Sequence, residues 1–104
     1  MEINITSENY DNVVLHSDRP VLLDFWAEWC PPCMLLSPIV AEIAEERSDL
    51  VVGKVNADMH PDICMEFQVQ NIPALFILKN GQVIDRSVGY RDKNTLLDWI
   101  DSVI

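Results

Sequence analysis

The run PVLLDFWA, residues 20–27, restricts the fold more than any other stretch of this chain. Its apolar residues fall on both alternating sets, so as a strand it presents water-averse side chains to both sides of a sheet. Such a strand belongs in the middle of its sheet, with helices from the rest of the chain covering both faces. The run is too short to cross a bilayer, and no other stretch approaches the ~20 apolar residues that a span requires.

The flanking segments supply that cover. EINI (2–5) reads as a short strand, and SENYDNVVLHS (7–17) reads as a helix with Ser7 as its N-cap. After residue 33, Leu35, Leu36, Ile39, Val40, Ile43 and Ala44 recur at helical spacing, and EERSD closes that helix in polar residues. LVVGKVNAD (50–58) is a further strand, and PDICMEF (61–67) opens with a proline suited to a first helical turn. ALFILKNGQVIDRSVG (74–89) makes two strands about Asn80-Gly81, a strong hairpin signal. Asp92 caps a last helix carrying Leu96, Leu97, Ile100, Val103 and Ile104 on one face. The order β-α-β-α-β-α-β-β-α predicts one α/β domain over residues 1–104. Its mixed sheet draws parallel pairs from helical crossovers and an antiparallel edge from the hairpin.

A formal charge of −10 disfavours nucleic acid and anionic membranes as partners, since both call for a cationic surface. Three cysteines do not make a secreted disulfide framework. The opening residues MEINITSENYDNVV carry early acidic groups and no apolar run of signal-peptide length, so the expected setting is cytoplasmic.

Cys30 and Cys33 fall where the apolar strand hands over to a helix. Two intervening residues let the sulfurs close a small ring or separate again at modest strain. The helix start supplies backbone N–H groups and a positive dipole end, which favour a thiolate at the first cysteine. Cys30 is therefore expected as the exposed nucleophile, and Cys33, inside the first turn, as the shielded resolving thiol. Because Pro31 and Pro32 lack an N–H, the Cys33 amide is the only donor within the motif for the Cys30 sulfur. Zinc binding is disfavoured, because four ligands are needed and His16, His60 and Cys64 offer no second closely spaced pair.

Asp24 interrupts the apolar run, where an unpaired carboxylate would cost several kcal/mol. A buried carboxyl there has a raised pKa and could accept the proton of Cys33. Lys54, on the following strand, is the natural counter-charge.

The segments VLLDFWAEWCPPC, GKVNAD and NIPALFILKNGQVIDRSVG, together with the length, resemble the thioredoxin family across essentially the whole chain. The resemblance implies a thioredoxin fold and a protein-disulfide reductase in which Cys30 attacks and Cys33 resolves. It makes Asp24 and Lys54 a buried proton-handling pair and Pro73 a cis proline packed against the cysteines. The Ile72 backbone would pair with an extended substrate, and Trp29, Ile72 and Gly89 would form an apolar docking surface with Pro31 and Pro32 beside them. It further implies a monomer without bound cofactor, acting on disulfide-containing proteins and recharged by a thioredoxin reductase, and a kink at Pro38.

The chain departs from the family pattern at Pro31, where glycine is usual, at Met34, often basic, and at Ala74, commonly threonine. Cys64, Phe25, Trp26 and Trp99 read as core residues, and neither histidine falls in a recognised site. Three rival readings remain from the sequence: a more oxidising oxidase or isomerase, a scaffold subunit without thiol exchange, and a metal or iron–sulfur carrier bridging two chains.

Overall fold

A computed structural model describes residues 1–104. Strands β1 (Glu2–Asn4), β2 (Val21–Trp26), β3 (Val51–Asn56), β4 (Ala74–Lys79) and β5 (Gln82–Val88) form one five-stranded sheet in the order β1-β3-β2-β4-β5. Helices α1 (Pro31–Glu46), α2 (Pro61–Glu66) and α3 (Lys93–Val103) flank it, with a short π-helical segment at Asp11–Leu15. The doubly apolar run is the central strand, and its two side-chain sets feed two cores. Val21, Leu23 and Phe25 pack with Ile5, Val55, Ile63 and Phe67 on one face. Leu22 packs on the other, with Leu36, Val40 and Ile43 of α1 and Leu96 and Ile100 of α3. Alternation puts Asp24 on the α1 side.

Strand direction follows from helix length. The 16 residues of α1 extend about 24 Å, enough to carry the chain back along the ~20 Å of a six-residue strand, and β2 and β3 are parallel. The six residues of α2 extend only about 9 Å, so the chain re-enters the sheet from the end where β3 left it. Consequently β4 runs antiparallel to β2. The antiparallel pairing expected only at the hairpin thus reaches the centre of the sheet, and the loop before β4 lies at the same end as the β2–α1 turn.

Several local expectations need correction. Ser7 does not cap a helix; its Oγ donates to Asp62 Oδ2 at 3.1 Å. Thr6 and Asn9 instead bond reciprocally, Thr6 N–H to Asn9 Oδ1 at 2.8 Å and Asn9 N–H to Thr6 Oγ1 at 3.3 Å. The pair closes a turn ahead of the helical segment, whose own N-cap, Tyr10, makes no side-chain cap bond. Leu35 lies off the buried stripe of α1 and is 66% exposed. Pro38 stands within α1, where its missing N–H leaves the preceding turn one bond short.

Phe25 is buried, but Trp26 and Trp99 are half-buried, and Trp99 Nε1 donates to Asp85 Oδ2 at 2.9 Å. Asn80 and Gly81 turn the hairpin with φ of 55° and 78°, as a tight two-residue turn demands. Asp92 accepts from the Thr95 N–H at 2.8 Å, capping α3 as expected.

Cys64 is only half-buried against the core, with Sγ 3.9 Å from the Ala57 carbonyl oxygen, so its placement in the core is overstated by the sequence. Cys64→Ala is expected to leave disulfide reduction unchanged and to cost at most about 1 kcal/mol, measured by denaturant unfolding. Loss of activity would give this thiol a part in the chemistry.

Candidate active site

Cys30 is the N-cap of α1, with extended backbone at φ −100° and ψ 102°. Pro31 and Pro32 follow at the first two helical positions, where a missing N–H costs no intrahelical bond. Cys33 is the third helical residue, and its N–H points at Cys30 Sγ at 3.3 Å. The two sulfurs form a disulfide, with Cα atoms 5.2 Å apart. An N-cap side chain normally receives N–H groups from the second and third helical positions. Pro32 removes the former, which leaves the Cys33 amide alone.

The expected contrast in exposure is absent. Cys30 is 3% exposed and Cys33 2%, and both pack with Ala27, Trp26 and Ile72. The cover over Cys30 comes from a segment 42 residues away, whose Ile72 carbonyl oxygen lies 3.8 Å from Cys30 Sγ. The Ile72-Pro73 bond is cis, and Pro73 is buried. Gly89, at φ 94°, donates its N–H to the Pro73 carbonyl at 2.8 Å and ties the loop to the end of β5. Trp29 is 66% exposed beside the disulfide, its indole N–H fixed to Asp58 Oδ2 at 2.9 Å. Pro31, Pro32 and Met34 are exposed next to it. The geometry therefore gathers the cysteines, Trp29, Pro31, Pro32, Ile72 and Pro73 at one end of the sheet, with Gly89 reached through Pro73.

Beneath α1, Asp24 is 1% exposed and paired in register with Lys54 on β3. Burial pushes its carboxyl up to about 7; Lys54 pulls it down by less, and the Glu2 carboxylate adds to the rise. Lys54 Nζ is 3.9 Å from Asp24 Oδ2, too far for a direct hydrogen bond, and Asp24 Oδ1 has no protein partner. The ammonium instead donates to Ser37 Oγ at 3.1 Å and lies 4.9 Å from the Trp26 ring centre. Burial outweighs the cation because the pair is separated and the carboxyl is dry.

Sequence reasoning missed three of these neighbours: Glu2, Ser37 and Asp58. The alternation of β1 puts Glu2 on the same face as Lys54, opposite Val52, but only once the pairing with β3 is known. The remaining polar candidates lie elsewhere. His16 Nδ1 is 2.9 Å from the Asp11 carbonyl oxygen, and His60 precedes α2.

Residues 2–102 match the family model described as Thioredoxin. The chain belongs to the thioredoxin family. Thioredoxin from Rickettsia felis is 45% identical over 105 residues, covering all of both chains. Thioredoxin from Rickettsia prowazekii is 46% identical over 97% of each chain. Thioredoxin from Mycobacterium tuberculosis is 43% identical over 98% of this chain and 89% of its own. As a member of this family, the protein is a thiol–disulfide oxidoreductase that reduces protein disulfides by dithiol–disulfide exchange through Cys30 and Cys33. No helix is long and apolar enough to cross a membrane.

Proposed function

We propose that Cys30 is the attacking thiolate and Cys33 the resolving thiol of this exchange. The observation that carries the assignment is the Cys33 N–H aimed at Cys30 Sγ from inside the first turn of α1. That amide and the helix start favour negative charge on Cys30 and offer no equivalent to Cys33. Reduced Cys30 attacks one sulfur of a substrate disulfide, forming a mixed disulfide and releasing the other sulfur as a thiolate. Asp24, with Lys54 as its counter-charge, takes the Cys33 proton. The Cys33 sulfur then attacks Cys30, the Cys30–Cys33 disulfide forms, and the second substrate thiol leaves. Two electrons pass to the substrate, and the domain supplies them without a bound cofactor.

Trp29, Pro31, Pro32, Ile72, Pro73 and Gly89 form the docking surface, where the extended substrate chain lies along the Ile72 backbone. A thioredoxin reductase restores the dithiol, which makes the protein an electron carrier in cellular redox balance. It works as a single-domain cytoplasmic monomer on disulfide-containing proteins. The reducing chemistry supports that setting.

The redox potential tests the reductant reading against that of an oxidase. A single amide donor stabilises the Cys30 thiolate modestly, which favours a reducing couple, while a stiff Pro-Pro gap opposes closure of the disulfide and pushes the potential up. The two effects are comparable, and equilibration with glutathione should give a value within several tens of mV of about −270 mV. That figure is thioredoxin's own, taken over from the family rather than derived from this chain. Pro31→Gly should move it only modestly, because residue 31 occupies the first helical position, whose N–H does not reach the N-cap side chain. A potential near −120 mV, the ~−120 mV of a strong oxidant, would overturn this reading.

A further inference from the structure

Lys54 stands between two carboxylates, only one of which belongs to the site as described so far. Its Nζ is 3.9 Å from Asp24 Oδ2 on β2 and 3.9 Å from Glu2 Oε2 on β1. Strand order explains the arrangement: β3 lies between β1 and β2, Asp24 is level with Lys54 on one side, and on the other Glu2 is level with Val52, two residues along the same face, and reaches Lys54 diagonally. Neither carboxylate reaches hydrogen-bond distance; the ammonium's bond goes to Ser37 Oγ on α1 at 3.1 Å. Glu2 is no free surface acid: its side chain is 26% exposed, and Oε2 is buried without a hydrogen-bond partner.

The other groups packed around Asp24 do not supply a second cation. Ser37 of α1 accepts from Lys54, Leu75 of β4 is the register partner of Asp24, and Leu96 and Ile100 of α3 lie on this face of the sheet. The N-terminal ammonium is turned to the Ala44 carbonyl at 3.0 Å, with Glu45 at 3.9 Å.

We propose that Glu2 is a positioning residue for the exchange reaction: by drawing Lys54 toward β1 it leaves Asp24 only partly neutralised, and so sets the proton affinity of Asp24. One ammonium shared between two carboxylates favours the ionised form of each less than a private pair would. The inference rests on the assignment of Asp24 as the proton acceptor. A residue on the edge strand, outside the cysteine pair, thereby governs the pH at which that acceptor becomes available. The upward push of the Glu2 charge on Asp24 agrees in direction.

The test is a titration of the Asp24 carboxyl by carbon-13 NMR in the oxidised protein, where neither Cys30 nor Cys33 can ionise. Glu2→Gln frees Lys54 for Asp24, and the Asp24 midpoint should fall by about half a pH unit or more, given two carboxylates no further apart than about twice 3.9 Å. Glu2→Asp keeps the charge and should stay closer to the parent. If Glu2→Gln does not fold, Glu2→Thr removes the same charge with a residue suited to an edge strand. An unmoved Asp24 midpoint on loss of the charge would overturn the proposal, as would equal shifts in Glu2→Gln and Glu2→Asp. The pH profile for resolution of a mixed disulfide should move down with the midpoint. A midpoint that falls while that profile stays fixed would uphold the control of Asp24 by Glu2 and overturn instead the role of Asp24 in the reaction.

Discussion

Cys30→Ser is expected to abolish disulfide reduction altogether, whereas Cys33→Ser should still attack a substrate disulfide once and remain joined to it. The difference comes from position rather than exposure, since both residues are almost fully buried. Only Cys30 sits at the N-cap with an amide aimed at its sulfur. Without Cys33 nothing expels the bound substrate, and the covalent complex should be recoverable on a non-reducing gel and dissociated by dithiothreitol. Trapping by Cys30→Ser instead of Cys33→Ser would reverse the assignment. Because the exchange cannot be completed by one sulfur, either substitution should lower turnover by several orders of magnitude.

The second large effect is expected at Asp24, where Asp24→Asn should change stability and rate in opposite directions. The folded-state pKa of about 7 lies above the ordinary 3.8. A carboxyl of this kind is accommodated in its neutral form. Its favourable contribution is complete below about pH 4 and is lost as pH rises from there through about 7. The asparagine variant carries no such loss. Denaturant unfolding should therefore show it gaining stability over the parent across that window, levelling off above pH 7 at an advantage on the order of 4 kcal/mol. Resolution of a mixed disulfide should meanwhile slow by up to about 100-fold, the lower end of what a positioned base contributes. The rise in rate expected of the parent through about pH 7, as Asp24 ionises, should flatten. Turnover that matches the parent at every pH from about 6 to 9 would remove Asp24 from the mechanism.

The legible parts of this molecule were those fixed by neighbours along the chain. The central strand, the long helix after Cys33, the Asn80-Gly81 turn and the Asp92 cap each rest on a period or a side chain within a few residues of its target. Asp24 and Lys54 were legible because a carboxylate in an apolar strand demands a partner. What escaped depended on distant segments. Ser7 is a plausible cap until Asp62, 55 residues away, takes its hydroxyl. The burial of Cys30 depends on Ile72, and the proximity of Glu2 to Lys54 depends on which strands are adjacent. The antiparallel entry of β4 follows from the shortness of α2, a matter of length that hydrophobic periodicity does not record.

The shortness of α2 also determines which parts of the chain can meet. Each long crossover returns the chain to the starting end of the sheet, whereas α2 turns it around where it stands. The disulfide and the Ile72-Pro73 loop therefore share an end through a count of reversals. An insertion that lengthened α2 into a full return would preserve every residue of both segments and still place them a strand's length apart, about 20 Å for six residues. The sheet's surface loops can lengthen without such a penalty, but this connection cannot, because its parity is what brings the two halves of the site together.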